Sequence, residues 1–247
     1  MKLRSATSEF FCFIESPIIA YMKYYAVIVA GGSGNRMQSH QPKQFLELTG
    51  VPILMHTLDA FYNCDLNIEI ILVLPSDHVN TWKALIAKHQ FDTPHRIAEG
   101  GATRYDSVKN GLDQINGNGI VAIHDGARPL VTSDVIHRTV DEAQKSGSGI
   151  AAVQVKDSIR QMVNGQNKSV DRSKFYAVQT PQTFDVQLIK KAFAASKSNL
   201  FTDDATVAEA SGVKVVLVEG SYDNIKITTP EDLVVAEKIL ELRNKNA

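Results

Sequence analysis

The chain is poor in cysteine, with only Cys12 and Cys64 among its 247 residues. Two cysteines provide neither a disulfide framework nor a paired-cysteine metal site, and they favour a reducing cytoplasm as the location. An excess of charge is also absent, because 26 lysines and arginines face 27 aspartates and glutamates. No apolar run approaches the ~20 residues that span a bilayer. The composition therefore predicts neither a nucleic acid nor a membrane as a partner, and any bound anion requires a local site.

The first 22 residues are predicted to be a disordered extension. Two basic residues precede an apolar segment there, as in a signal peptide, but two acids and Pro17 interrupt it and no small-residue cleavage site follows. Met22 stands just before the first strand and would serve as the start. We expect residues 23–247 to form a single domain, since one hydrophobic core can serve a chain of this length.

Apolar segments alternate with helical patterns over most of the chain. Strands covered on both faces are predicted by nearly continuous apolar runs at residues 25–30, 68–75, 95–100 and 119–125. Helical patterns occupy residues 52–64, 78–90, 102–115 and about 230–243. Strand followed by helix, repeated, predicts an α/β fold with a mostly parallel sheet flanked by helices.

One segment breaks this rhythm. From about residue 151 to 183 polar and apolar residues alternate on both sides of Asn164-Gly165, a dipeptide typical of a β-hairpin turn. A polar hairpin has little core of its own inside a parallel domain, so we interpret the segment as a β-arm that projects onto a second subunit. An antiparallel extension at the edge of the same sheet explains the pattern equally well.

A glycine-rich loop directly follows the first strand and contains Gly31, Gly32 and Gly34. Glycine lets successive backbone N–H groups point into one concavity, which can hold phosphate oxygens. Neither common nucleotide fingerprint fits this loop. The P-loop needs a lysine followed by Ser or Thr, and the dinucleotide motif needs a third glycine where Met37 stands. The loop therefore favours a polyphosphate bound at the end of the strand.

Two cations, Arg36 and Lys43, follow the glycines. They suit a nucleoside triphosphate whose α-phosphorus is attacked, because fixed cations stabilise the charge that grows on its oxygens in the transition state. The alternative is a tight turn with two solvated surface charges, and the loop alone does not separate these interpretations.

Further polar residues stand near later strand ends. Asp125 closes the fourth apolar run, faces the same crevice as the glycine loop, and suits magnesium bound jointly by a carboxylate and phosphates. Arg128 is placed to bind a second anion, and His124 is expected to be a buried core residue. Lys226 alternates with two isoleucines on a predicted short strand, so its side chain should point toward the crevice.

Five ordered segments, AGGSGNRMQSHQPKQF, GGATRYDSV, HDGARP, DRSKFYAVQTPQTF and DNIKITTPEDL, resemble the 2-C-methyl-D-erythritol 4-phosphate cytidylyltransferases. The resemblance covers about Tyr24 to Leu240. It implies a Rossmann-like nucleotidyltransferase fold and the transfer of CMP from CTP to a polyol phosphate in non-mevalonate isoprenoid biosynthesis. It also implies a requirement for Mg²⁺ and a homodimer joined by the arm.

The same resemblance assigns roles to individual residues. The catalytic cations would be Arg36, Lys43 and Lys226. The nucleotide would be bound by Ala30, Gly31, Gly32, Gly34, Gly101, Ala102 and Ser107. The polyol phosphate would be bound by Asp125, Gly126, Arg128, Ser158, Arg172, Thr180 and Thr202, with Arg172 contributed across the dimer and Asp125 also holding the metal.

Two alternatives remain open at this point. A ribitol-5-phosphate cytidylyltransferase shares PKQFLEL and QTPQTF with this sequence. A non-catalytic CTP-binding protein on the same fold would be expected to have lost Arg36, Lys43 or Asp125, and all three are present.

Overall fold

The computed structural model describes residues 22–31, 41–196 and 198–246. Residues 1–21 of the predicted extension, and residues 32–40, which hold most of the glycine loop, lie outside the described residues.

Strands and helices alternate in the described chain as the sequence predicts. The strands are β1 Tyr24–Val29, β2 Glu47–Leu48, β3 Val51–Pro52, β4 Ile68–Leu74, β5 Arg96–Glu99, β6 Ile120–Asp125, β7 Ser148–Gln154, β8 Arg160–Val163, β9 Gln166–Ser169, β10 Tyr176–Asp185 and β11 Leu217–Glu219. The α-helices are α1 Ile53–Tyr62, α2 Val79–His89, α3 Arg104–Asp113, α4 Ser133–Ser146, α5 Val186–Ala195, α6 Asp204–Ala210 and α7 Pro230–Asn246.

The large sheet has seven strands in the order β11-β7-β10-β6-β1-β4-β5. Neighbouring strands in it are parallel except where β10 runs antiparallel between β6 and β7. The predicted mostly parallel sheet is therefore confirmed.

Helices cover both faces of the sheet because successive side chains of its strands point to opposite sides. In β1, Ala26 and Ile28 join a buried cluster that includes side chains of α1, α2 and α4. Tyr25 and Val27 join a second cluster with side chains of α3, α5 and α6. Both faces are thus buried, which explains why these strands read as continuous apolar runs.

The segment assigned to an arm from the sequence is divided by the structure. Its two ends, in β7 and β10, pair inside the large sheet, and Ala151 to Val153 are buried there. Only residues 155–175 stand apart, where β8 and β9 form a separate two-stranded sheet. The predicted turn at Asn164-Gly165 is present, with φ of 49° and 78°. The arm is therefore shorter than 151–183, and the segment is not an edge extension because β10 lies within the sheet.

The carboxyl ends of β1 and β6 meet in the middle of the sheet, where Val29 pairs with Asp125. The chain leaves β1 toward β4 on one side, whereas β6 is flanked by β10 on the other. Strand order therefore reverses at this point, which is the position where open α/β sheets bind ligands.

Candidate active site

Two cavities open at the carboxyl ends of these central strands. The first has a volume of about 220 Å³ and is lined by the predicted nucleotide residues Ala30, Gly31, Gly101, Ala102 and Ser107 together with Lys43. The second has a volume of about 270 Å³ and is lined by the predicted substrate residues Arg128, Thr180 and Thr202. Arg104, Asp125 and Lys226 line both cavities, and we call these three residues the shared wall.

Asp125 is the centre of the shared wall, and three cations surround its mostly buried carboxylate. Lys226 Nζ lies 2.8 Å from Oδ2, Arg104 Nε lies 3.4 Å from Oδ1, and Arg128 Nε lies 3.7 Å from Oδ2. Burial alone would raise the pKa of Asp125, but Arg104, Lys226 and Arg128 outweigh it and hold the pKa well below its usual range. The carboxylate is therefore ionised at neutral pH.

Arg104 was not singled out from the sequence, yet it connects the two cavities. Its terminal nitrogens donate to both carboxylate oxygens of Asp204, at 2.9 and 2.8 Å. Arg104 is the first residue of α3, where the helix dipole disfavours a cation, so its charge there depends on tertiary partners. A basic residue directly after the helix cap Thr103 was the signal that could have revealed it.

The first cavity is bounded by the tight turn that precedes α3. The backbone N–H of Gly101 donates to Ser107 Oγ at 3.0 Å, and that hydroxyl donates to the carbonyl of Thr103 at 2.9 Å. A Cβ on Gly101 would lie 2.3 Å from the Cβ of Asp106, so only glycine fits. This turn brings the backbone of residues 101–103 to the cavity wall.

Gln44 is a second residue that sequence reasoning missed, although it lies within the quoted PKQF segment. Its side chain is buried, lines the first cavity, and donates from Nε2 to the carbonyl of Ala30 at 2.8 Å. This bond joins the short 3₁₀ helix Lys43–Phe45 to the end of β1. Lys43 is thereby held beside the strand end that carries the glycine loop.

Hydrogen bonds fix the polar residues of the second cavity. Thr180 Oγ1 accepts from the backbone N–H of Asp125 at 3.1 Å, and its carbonyl accepts from Asn224 Nδ2 at 2.8 Å. Arg128 donates to the carbonyl of Asn224 at 2.7 Å. The segment that leads to Lys226 is therefore tied to β10 and to the loop after β6.

Lys226 itself does not lie in a strand, contrary to the sequence prediction. The segment around it has no regular secondary structure, and Ile227 donates from its backbone to the carbonyl of Ala127 at 2.8 Å. Ile227 is buried, so Lys226 points away from that core and toward Asp125, as expected. Asp232 of α7 steadies the segment by accepting from the backbone N–H groups of Thr228 and Thr229, at 2.8 and 2.9 Å.

His124 is a buried core residue, as predicted. Its Nε2 lies 3.2 Å from the carbonyl of Arg128, and its ring packs edge-on against Phe61. Burial lowers the pKa of His124 to about 3. The imidazole is therefore neutral at physiological pH, which leaves Nε2 as the donor in this bond.

Among the described residues, three predicted site residues are not in the lining of either cavity: Gly126, Ser158 and Arg172. Gly126 is buried, and its carbonyl accepts a hydrogen bond from Thr57. Ser158 and Arg172 are exposed in the arm, where Arg172 donates to the carbonyl of Lys156. Arg36, Gly32 and Gly34 lie outside the described residues. Their roles stay predictions.

The donor set suits an ion that arrives with phosphates. In the described part of the chain no three His, Cys, Asp or Glu residues cluster as metal ligands. Asp125 is one ionised carboxylate at the junction of the cavities, and Mg²⁺ commonly uses one or two carboxylates together with substrate phosphates. The described residues therefore offer one carboxylate, Asp125, to a Mg²⁺ ion, which would take its other ligands from substrate phosphates and water.

The sheet is mostly parallel, and at the ends of its central strands two cavities share a carboxylate that cations surround. Together with the glycine-rich sequence that follows β1, this arrangement is typical of a nucleotidyltransferase. The family model described as IspD: 2-C-methyl-D-erythritol 4-phosphate cytidylyltransferase matches residues 24–242. The chain belongs to this family, and it is therefore a cytidylyltransferase.

Curated relatives carry the same name. The protein of Bacteroides fragilis is 49% identical over 215 residues, covering 87% of this chain and 98% of the relative. That of Bacteroides thetaiotaomicron is 47% identical over 219 residues, covering 89% of this chain and 100% of the relative.

Solved structures agree with the fold. The 4-diphosphocytidyl-2C-methyl-D-erythritol synthase of Anaerococcus prevotii aligns with a TM-score of 0.77 at 32% identity, over 89% of this chain and 99% of that chain. The 2-C-methyl-D-erythritol 4-phosphate cytidylyltransferase of Thermus thermophilus aligns with a TM-score of 0.72 at 32% identity, over 89% of this chain and 100% of that chain. These likenesses confirm the predicted Rossmann-like nucleotidyltransferase fold.

Proposed function

We propose that the first cavity binds CTP and the second binds 2-C-methyl-D-erythritol 4-phosphate, and that CMP is transferred between them at the shared wall. The observation that carries this assignment is the wall itself, because Arg104, Asp125 and Lys226 face both cavities. The names of the relatives from both Bacteroides species support methylerythritol phosphate over ribitol phosphate as the acceptor.

In the proposed reaction, an oxygen of the methylerythritol phosphate forms a bond to the α-phosphorus of CTP. The bond from that phosphorus to the bridging oxygen breaks, and pyrophosphate leaves with its electron pair. The attacking oxygen is already anionic near neutral pH, so no general base is required. Catalysis then consists of positioning and charge stabilisation.

The cations lie at different positions relative to the two substrates. Lys43 lies on the nucleotide side, and Arg36 is assigned there by the sequence. Lys226 faces the reacting groups from the shared wall, and Arg128 faces the acceptor phosphate. Lys226 is held by Asp125 and Arg128 by the carbonyl of Asn224 before substrates bind, so little reorganisation of these two cations accompanies the reaction.

Asp125 would hold Mg²⁺ in company with the triphosphate. The ion, when bound, neutralises phosphate oxygens during the transfer. Asp125 also positions Lys226 and Arg128, and its three cationic neighbours keep it deprotonated.

We further propose that the chain acts as a homodimer through the arm. Both hairpin strands are exposed along their whole length. Large apolar side chains are exposed on the arm and at its base: Met162, Val163, Phe175 and Tyr176. A partner would cover this apolar surface and would bring Ser158 and Arg172 to its second cavity.

Sedimentation analysis tests the dimer. Phe175→Ser should shift the wild-type dimer toward monomer, because it removes an exposed apolar group at the base of the arm. Val234→Ser is the matched control, since Val234 is exposed on α7. A wild-type monomer, or dissociation by the control alone, contradicts the arm as the interface.

Pyrophosphate release tests the reaction. With CTP and Mg²⁺, release should require methylerythritol phosphate and be much slower with ribitol 5-phosphate. Faster release with ribitol 5-phosphate assigns the chain to the alternative substrate, and no release with either supports a non-catalytic CTP-binding protein.

The described residues form no helix long and apolar enough to cross a membrane. We propose the cytoplasm as the location because the bacterial relatives bear the name of a biosynthetic enzyme.

A further inference from the structure

The guanidinium of Arg104, at the shared wall, has more N–H donors than its described partners use. A guanidinium carries five N–H donors. Two of them bind Asp204 and one points to Asp125, which leaves one N–H on each terminal nitrogen without a partner among the described residues. The side chain is 27% exposed and lines both cavities. The same group can therefore reach a ligand in either cavity.

The buried carboxylate of Asp204 binds the guanidinium of Arg104 and fixes its position. Its side chain is 1% exposed, and its backbone N–H donates to Gln182 Oε1 at 2.9 Å. Burial raises the pKa of Asp204, and the charge and hydrogen bonds of Arg104 oppose that rise. Burial alone would lower the pKa of Arg104, but Asp204 and Asp125 raise it. The guanidinium is therefore permanently charged and fixed in orientation.

Stability of the fold alone does not explain the ion pair between Arg104 and Asp204. A buried ion pair loses hydration, and apolar side chains of similar volume often pack as stably or better. Arg104 additionally stands at a helix N-terminus, where a cation is disfavoured. The pair adds no net charge, but it fixes a guanidinium at the wall of both cavities while its carboxylate partner is buried.

The proposed transfer needs a cation at this point. It brings two phosphate groups into contact, and both are anions that repel each other. A rigid guanidinium facing both cavities can hydrogen-bond to both phosphates, since its planar fork matches phosphate geometry.

We propose that Arg104 is a catalytic residue that contacts the α-phosphate of CTP on one side and the acceptor phosphate on the other, and that Asp204 is its positioning residue. This assignment rests on the proposed function and extends it. It adds Arg104, which lies outside the glycine loop, to the cations of the site. The carboxylate of Asp204, on another helix, sets the orientation of this guanidinium.

The decisive variant is the double substitution Arg104→Met with Asp204→Leu. It removes the guanidinium together with its carboxylate, so neither partner is left buried and unpaired, and the melting temperature should equal or exceed that of the wild type. We expect kcat for pyrophosphate release from CTP and methylerythritol phosphate to fall at least 100-fold. The matched control is Arg96→Met with Glu69→Leu, an exposed ion pair outside both cavities, which should leave kcat unchanged.

Two single variants keep the test decisive if the double variant does not fold. Arg104→Lys keeps the charge but loses the fork, and kcat should fall about tenfold or more with smaller changes in either KM. Asp204→Asn should lower kcat in the same way, whereas Asp204→Glu, which retains a carboxylate, should restore most of it. If Asp204 had only a structural role, its substitution would change the stability of the protein without lowering kcat more than it changes either KM.

The outcomes separate this assignment from the function beneath it. A folded double variant with kcat within threefold of the wild type, or an unimpaired Arg104→Lys variant, overturns the role of Arg104 and leaves the proposed function intact. Absence of pyrophosphate release by the wild type overturns the proposed function and this assignment with it.

Discussion

Substitution of Lys226 by methionine removes one charge from the shared wall while keeping the length of the side chain. Lys226 Nζ lies 2.8 Å from Asp125 Oδ2, and the side chain is 39% exposed. Asp125 retains Arg104 and Arg128 as cationic neighbours, so its charge is not left unpaired. Because a partly exposed ion pair contributes little, we expect a loss of unfolding free energy of at most about 1 kcal/mol.

The effect on activity should be much larger. A unit charge about 4 Å from a phosphate oxygen interacts by roughly 4 kcal/mol at an effective dielectric constant near 20. Only the part of this energy gained in the transition state accelerates the reaction. If about 3 to 4 kcal/mol is specific to the transition state, kcat/KM falls roughly 100- to 1000-fold, since 1.36 kcal/mol corresponds to a factor of ten.

The assay is steady-state pyrophosphate release, paired with thermal unfolding of the same preparations. Lys238→Met is the matched control, because Lys238 is 61% exposed and pairs with Glu241 outside both cavities. It should leave kcat/KM unchanged. The reasoning is refuted if folded Lys226→Met retains kcat/KM within threefold of the wild type.

Three further substitutions test other parts of the site. Lys43→Ala should lower turnover by about 100-fold or more, because a cation at the nucleotide side is lost; steady-state kinetics would refute this role by showing near-normal turnover. Gly101→Ala places a Cβ 2.3 Å from that of Asp106, so urea unfolding should show a loss of about 1–3 kcal/mol and the KM for CTP should rise. An unchanged unfolding midpoint and KM would contradict this packing argument. Asp232→Ala removes the acceptor for two backbone N–H groups beside Lys226 and should cost about 1–2 kcal/mol in urea unfolding; an effect under about 0.3 kcal/mol would show that this anchor is dispensable.

The central strands were predictable because burial on both faces leaves continuous apolar runs. β10 was not predictable in this way. Its buried residues include Gln179, Thr180, Gln182 and Thr183, and such polar residues tolerate burial only through tertiary hydrogen bonds. The sequence pattern therefore looked like a solvated arm where the structure has an interior strand.

The position of Asp125 at the cavities was predictable because parallel strands bring their carboxyl ends together. Arg104 was not, since Asp204, its partner, lies 100 positions away and only tertiary packing joins them. The prediction of a strand around Lys226 was wrong for a related reason. Alternation of apolar residues predicts a strand only where a neighbouring strand completes the backbone ladder, and here Ile227 forms an isolated backbone bond with Ala127.

A crystal structure of the chain with CTP and Mg²⁺ tests the central claim most directly. We expect the triphosphate in the first cavity, with the α-phosphorus at the shared wall, within reach of Lys226 and open to the second cavity. A triphosphate bound elsewhere, or an α-phosphorus closed off from the second cavity, would contradict transfer at this wall.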